Sequence, residues 1–110
     1  MPSKYHNKKT MVDGILFDSK HEAERWCELK LLQRAKAITD LQRQVRFKLL
    51  PDQKASNGKV WQGIYYIADF VYKDSRGLTV VEDAKGMRTE GYIHKKKLLK
   101  FMYGYEIQEV

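Results

Sequence analysis

The segment VVEDAKGMR, residues 80–88, reads as the inside of a strand except for Glu82, Asp83 and Lys85. Upstream, Asp69 interrupts the most apolar run of the chain, Ile64 to Tyr72. Strand interiors disfavour such residues, and burying a charge is costly unless it is paired or bound to metal. The two runs are joined by a short turn, so they are expected to pair as a hairpin with Asp69 beside Asp83. Like charges placed so are unfavourable unless a cation intervenes. In extended chain Asp83 and Lys85 share one face, and Glu82 points to the other. Hard oxygen ligands at this spacing suit Mg²⁺, which keeps several waters and uses one or two carboxylates with substrate phosphate oxygens. Asp69 and Asp83 are thus expected to hold Mg²⁺, with Mn²⁺ as a substitute and the Ala84 carbonyl as a third oxygen. Lys85 is expected near the attacking water or the phosphate charge of the transition state. Such a metal adds Lewis acidity and lowers the pKa of a water. Together these parts would hydrolyse a phosphodiester. The plainer alternatives are a buried Asp69 that pairs with a lysine or caps backbone amides, and a surface pair of Asp83 with Lys85. The combined pattern favours the metal site.

The composition agrees with a polyanionic partner. Lys and Arg total 21 against 14 for Asp and Glu, a net charge of +7. In a small basic chain this points to nucleic acid, without separating a binder from an enzyme. Lys95, Lys96, Lys97 and Lys100 form a basic stretch. With Arg88, Lys4, Lys8 and Lys9 they make a phosphate-binding surface, although a solvated helix face explains the stretch as well. Contacts of this kind are salt-sensitive and carry no sequence information.

The elements that must position these groups follow from pattern. The chain has 110 residues, enough for one domain with a modest core. Residues 1–10 read as a basic arm and 11–110 as a single domain. Val12 and Ile15 flank Asp13-Gly14, a tight-hairpin signal. Ser19 and Glu22 form a capping-box signature, and Ala23, Trp26, Cys27, Leu29, Leu31 and Leu32 give an apolar stripe, so a helix is predicted over about 19–37. Residues 41–50 alternate as a half-exposed strand, and 51–59 read as a turn. Ile64 to Tyr72 is apolar on both faces, as in a strand covered on both sides. LTVVEDAK forms the next strand. A second helix is expected from Tyr92 to Tyr103, with Ile93, Leu98, Leu99, Phe101 and Met102 on its apolar side and Gly104 at its end. YEIQEV closes as a strand. The expected architecture is α/β (α+β): a hairpin, then α–β–β–β–α–β, forming a mixed sheet with a helix on each face.

Cys27 is alone, which excludes an internal disulfide and a cysteine zinc cluster; it is expected to be a small buried helix residue, and the chain to be cytoplasmic. No apolar run approaches membrane-spanning length, and MPSKYHNKK lacks the apolar core of a signal peptide. His6, His21 and His94 show no zinc spacing. Trp26, Trp61 and most tyrosines are expected in core and sheet packing, with Tyr5 and Tyr92 set apart by their basic surroundings.

Asp69 followed by Asp83-Ala84-Lys85 resembles the PD-(D/E)XK nuclease superfamily, whose restriction-endonuclease-like core is helix, three strands, helix, strand. The proline that names the motif is Ala68 here. Many members add a glutamate from the first helix, and Glu22 matches that position, with Glu24 as second choice; a purely structural capping role for Glu22 is the competing reading. The stretches KYHNKKT, FDSKHEAER, YIADFVY and VEDAKGM further resemble a family of small phage and prophage proteins. The resemblance covers nearly the whole chain. It implies a Mg²⁺-dependent endonuclease with Glu22, Asp69, Asp83 and Lys85 as catalytic residues, acting like a Holliday-junction resolvase on branched DNA. Two symmetric cuts imply a homodimer. A nicking or mismatch endonuclease and a non-catalytic nucleic-acid-binding module are the alternatives.

Overall fold

Asp13 and Gly14 both take positive φ, 52° and 76°, and turn β1 (Thr10–Val12) antiparallel onto β2 (Ile15–Phe17). Such angles suit the hairpin that an Asp-Gly pair favours. The computed structural model describes residues 8–86 and 88–110. Lys4, Tyr5 and His6 lie outside them; Lys8 and Lys9 are exposed, and Thr10, expected in the arm, already belongs to β1.

Helix α1 (Lys20–Arg34) starts at the expected cap: the Ser19 side chain accepts the Glu22 N–H at 3.1 Å. It ends before residue 37, and Lys36 turns left-handed at φ 64°. Strand β3 (Thr39–Leu50) follows. The segment expected as a turn holds a small hairpin, β4 (Gln53–Lys54) with β5 (Val60–Trp61). Then come β6 (Ile64–Lys73), β7 (Thr79–Asp83), α2 (Glu90–Tyr103) and β8 (Ile107–Glu109). Capped by Thr89, α2 begins at Glu90, two residues before the predicted start, and Gly104 closes it in the left-handed conformation.

The molecule is mixed α and β. Its central sheet has the order β3-β6-β7-β8, antiparallel except for the parallel β7–β8 pair. One face buries Phe70 and Tyr72 against Ala23, Trp26 and Leu29 of α1, with Phe17 and Ile38. The other buries Tyr66, Ala68, Val71 and Val81 with Leu99 of α2 and Ile107. No helix among the described residues is long and apolar enough to cross a membrane.

Several packing expectations are corrected. Cys27 is exposed, as are Leu31 and Leu32. Glu22, Ala23, Trp26 and Leu29 are the residues α1 buries, so Cys27 falls just off that stripe and the last turn overhangs the core. On α2 only Leu99 is buried, while Ile93 and Met102 are exposed and Phe101 is 85% exposed. The inward side is Leu99 with half-buried Tyr92, Lys96 and Leu98 beside it, so Leu98 packs as expected. Lys96 fits there by laying its stem inward, its Nζ 5.7 Å from the Tyr92 ring centroid and 3.6 Å from Glu109. Trp61 is 63% exposed on the small hairpin. Strand β6 is buried on both faces only from Ala68 to Tyr72, since Ile64 and Ile67 are exposed.

One irregularity positions the site. Even-numbered Tyr66 and Ala68 face α2, yet even-numbered Phe70 and Tyr72 face α1. On the paired strand, Leu41 lies with the α1 cluster while Val45 and Phe47 lie with the α2 cluster. Both strands therefore exchange faces at the same rung. That rung is Gln44 across from Asp69, between the pairs Arg43–Phe70 and Val45–Ala68. Gln44 adopts φ 54°, a conformation costly for a side-chain-bearing residue and one that clusters at functional sites.

Candidate active site

Asp69 stands at this exchange point, and the β6–β7 register brings it opposite Asp83. The pairing runs from Lys73–Thr79 to Phe70–Glu82, and one further rung places the two aspartates together. Both line an open groove of about 640 Å³ with Lys85. The Asp69 Oδ2 accepts the Ala84 N–H at 2.8 Å. Ala84 thus enters the site through its amide. Burial pushes the Asp69 carboxyl above the ordinary aspartate range; the Ala84 N–H opposes that rise and nearby Asp83 adds to it.

Asp83 is buried and explains why the strand ends where it does. Its Oδ1 accepts the backbone N–H groups of Lys85 and Gly86, at 2.9 and 2.8 Å, folding the chain into a bend. An aspartate bonding to the backbone two and three residues on makes such a turn. Its Oδ2 accepts the Tyr66 hydroxyl at 2.8 Å. Gly86 has φ 51°, the left-handed conformation that favours glycine; a Cβ there would lie 2.7 Å from a Glu109 carboxylate oxygen, which that flexible side chain can move aside. Lys85 consequently lies beyond β7, not on it as the sequence pattern predicts. Its ammonium reaches Asp18 at 3.2 Å and does not pair with Asp83.

Glu22 is 1% exposed at the start of α1. Its Oε1 takes a long bond, 3.3 Å, from the Gln44 amide, which also lies 3.4 Å from Asp69 Oδ1. Its buried Oε2 has no partner. Burial raises the Glu22 carboxyl above the usual glutamate range, and Asp69 and Asp18 push the same way. Glu22 therefore combines a cap position with a place among the acids, whereas Glu24 is exposed on another face.

The four residues Glu22, Asp69, Asp83 and Lys85 thus come together. Gln44 and Asp18 join them and were missed: a glutamine in an alternating strand and an acid before a helix cap carry no distinguishing signal. The basic residues divide. Lys95 lines the groove beside the acids, whereas Lys96, Lys97 and Lys100 line a separate depression with Phe101. Arg88 and Lys96 lie 3.6 Å from Glu109, and Lys100 bonds Glu106. Pairs this exposed are weak and leave the cations available to phosphate. His21 bonds the Val110 carbonyl oxygen at 2.7 Å.

Among the described residues no group of three or more His, Cys, Asp or Glu side chains is disposed to hold a metal ion. Mg²⁺ does not demand one, since one or two carboxylates with waters and phosphate oxygens suffice. The residues present fit such an ion: the donors are hard oxygens, one buried Glu22 oxygen has no partner, and the acids repel one another.

The raised carboxyls give a pH prediction for metal-free protein. A folded pKa above the unfolded value means that the native state retains protons, so stability falls as pH rises past the unfolded value near 4.5 for glutamate. Glu22→Gln should therefore stabilise the chain at neutral pH by about 1 kcal/mol, the scale of an unsatisfied buried oxygen. The gain should vanish below about pH 4. Urea unfolding in chelator across that range measures it; equal effects at both ends would show that Glu22 titrates normally.

Fold and site together define a mixed α and β protein that gathers carboxylates and a lysine at a groove with basic walls. A family model described as "Protein of unknown function (DUF1064)" matches residues 2–109, and the chain belongs to that family. No curated protein and no solved structure matches it.

Proposed function

We propose that the protein is a metal-dependent endodeoxyribonuclease of the PD-(D/E)XK type, with a restriction-endonuclease-like core. The observation that carries this reading is the convergence of Asp69, Asp83 and Lys85 on one groove that also holds Arg46 and Lys95, with buried Glu22 behind it, linked to Asp69 through the Gln44 amide. Carboxylates alone would repel a phosphodiester, whereas the cationic walls of this groove attract one. Mg²⁺ or Mn²⁺ held by Asp69 and Asp83, with Glu22 at its flank, would supply Lewis acidity and a more acidic water. The chain's own groups do the rest. Tyr66 and the Ala84 amide fix the two aspartates, and Lys85 places an ammonium beside charge that grows on the phosphate. Arg88, Lys95, Lys96, Lys97 and Lys100, with Lys4, Lys8 and Lys9 of the basic arm, hold the flanking backbone.

The substrate we infer is branched DNA such as a Holliday junction of phage or prophage origin, cut in the host cytoplasm by a homodimer. A chain of 110 residues offers little surface for reading a long sequence, and symmetric cuts require two active copies. The test is incubation with a four-way junction, a linear duplex of matched sequence and a plasmid, with Mg²⁺ or Mn²⁺. Preferential junction cleavage supports the reading. Equal cutting of junction and duplex leaves a nicking or mismatch-type nuclease, and no cutting of any substrate leaves a non-catalytic binding module. A separate readout is thermal melting. Mg²⁺ in hundredfold excess over its dissociation constant should add about 2.7 kcal/mol of stability, lost in Asp69→Asn.

A further inference from the structure

Strand β6 is apolar well before the point where α1 begins to cover it. Tyr65, Ile67 and Asp69 alternate along one face, away from Tyr66 and Ala68, which pack toward α2. Their cross-strand neighbours on β3 are Lys48 for Tyr65, Arg46 for Ile67 and Gln44 for Asp69. The α1 cluster takes up β6 only at Phe70, so this stretch is left open: Ile67 is 53% exposed, Arg46 and Lys48 are exposed and Tyr65 is half-buried. The ribbon therefore presents two rows, one cationic and one apolar, advancing about 7 Å with every second residue toward the acid cluster. The Arg46 guanidinium lies 3.8 Å from the Tyr65 ring centroid, which makes a broad flat plate. Arg46, Tyr65 and Ile67 line the same groove as Asp69, Asp83 and Lys85.

Duplex DNA offers its rim phosphates to cations but hides its base faces from an aromatic or aliphatic row. An unpaired strand offers both, and proteins that bind one combine a cationic track with side chains on which bases stack. We propose that the β3–β6 ribbon is a track for a single-stranded DNA segment, with its phosphates along Lys48 and Arg46 and its bases on Tyr65 and Ile67. Its placement rests on the nuclease reading, because the track leads an unpaired strand into the acid groove. The inference names the feature that groove selects: unpaired nucleotides next to the cleaved phosphate.

Binding without cleavage tests it. In chelator at fixed salt, fluorescence anisotropy compares a labelled single-stranded oligodeoxynucleotide with its blunt duplex. Wild type is expected to prefer the single strand. The double variant Tyr65→Ala/Ile67→Ser should weaken single-strand binding at least about tenfold and leave duplex binding nearly unchanged, while Tyr65→Phe should retain it. Arg46→Ala should weaken both. Circular dichroism melting confirms that the variants fold. A wild-type preference for duplex, unchanged single-strand affinity in the double variant, or tighter binding of an RNA strand of the same sequence overturns the proposal. If the single-strand preference is found and lost as described but no substrate is ever cut, the track stands and the nuclease reading falls. If junctions are cut but the double variant binds single strands normally, the reverse holds.

Discussion

Asp83→Asn is expected to lower Mg²⁺-dependent cleavage by on the order of a thousandfold, the scale of losing one preorganised electrostatic group from a transition state. The substitution keeps the local fold. An asparagine oxygen still accepts from Lys85 and Gly86, and its amide can donate to the Tyr66 hydroxyl that now donates to Asp83. Stability should stay within about 1 kcal/mol. DNA binding in chelator should hold or improve, because a negative charge beside phosphate is gone. Asp83→Ala is the less informative change: it strands a buried hydroxyl and two amides and should cost about 1–3 kcal/mol besides. Gel-based cleavage with unfolding measured in parallel separates the two effects. Full activity in Asp83→Asn would remove this residue from the chemistry and undercut the assignment of the groove.

The largest stability effect is expected on the reverse face of the same strand. Glu82 is 1% exposed and accepts two bonds from Arg25, at 2.8 and 2.6 Å, and one from the Tyr72 hydroxyl. Burial raises the Tyr72 hydroxyl to about 12, and its bond to Glu82 adds to the rise. Arg25→Ala leaves the carboxylate without its counter-charge and should cost about 3–5 kcal/mol. For a domain stable by only about 5–15 kcal/mol this is a large share. Glu82→Gln should cost less, since Arg25 keeps a partial partner and the remaining charge reaches solvent through Glu28. Urea denaturation is the measurement. A loss below about 1 kcal/mol for Arg25→Ala would mean that water replaces the guanidinium and that the pair is not sealed.

The contrast between those neighbours shows what the sequence discloses. Asp69 announces itself because it breaks an apolar run, and Asp83 because two acids are abnormal in a strand. Glu22 is visible as a cap residue, but its burial depends on where α1 lands on the sheet. Gln44 is invisible: glutamine on the polar side of an alternating strand is ordinary, and only its left-handed backbone and its reach to two carboxylates distinguish it. Alternation predicts β3 as a strand and an unbroken apolar run predicts β6, but neither predicts their exchange of faces between the α1 and α2 clusters. The inward stripe of α2 is obscured in a similar way. Lys96 occupies it through its aliphatic stem, while Phe101, more apolar by type, points outward. The spacing of Lys85 from Asp83 fits a strand, yet the Asp83 side chain ends that strand by accepting the backbone N–H groups of Lys85 and Gly86.

The exchange of faces at Gln44 and Asp69 divides the long β3–β6 pair into two regions under different constraints. Beyond it toward the α1 side, substitutions meet a packed interior; before it, Arg46, Lys48, Tyr65 and Ile67 answer chiefly to solvent and whatever solvent carries. Related chains can diversify that outer stretch without reworking the interior or displacing the acids, so one scaffold can acquire new preferences through a handful of surface changes.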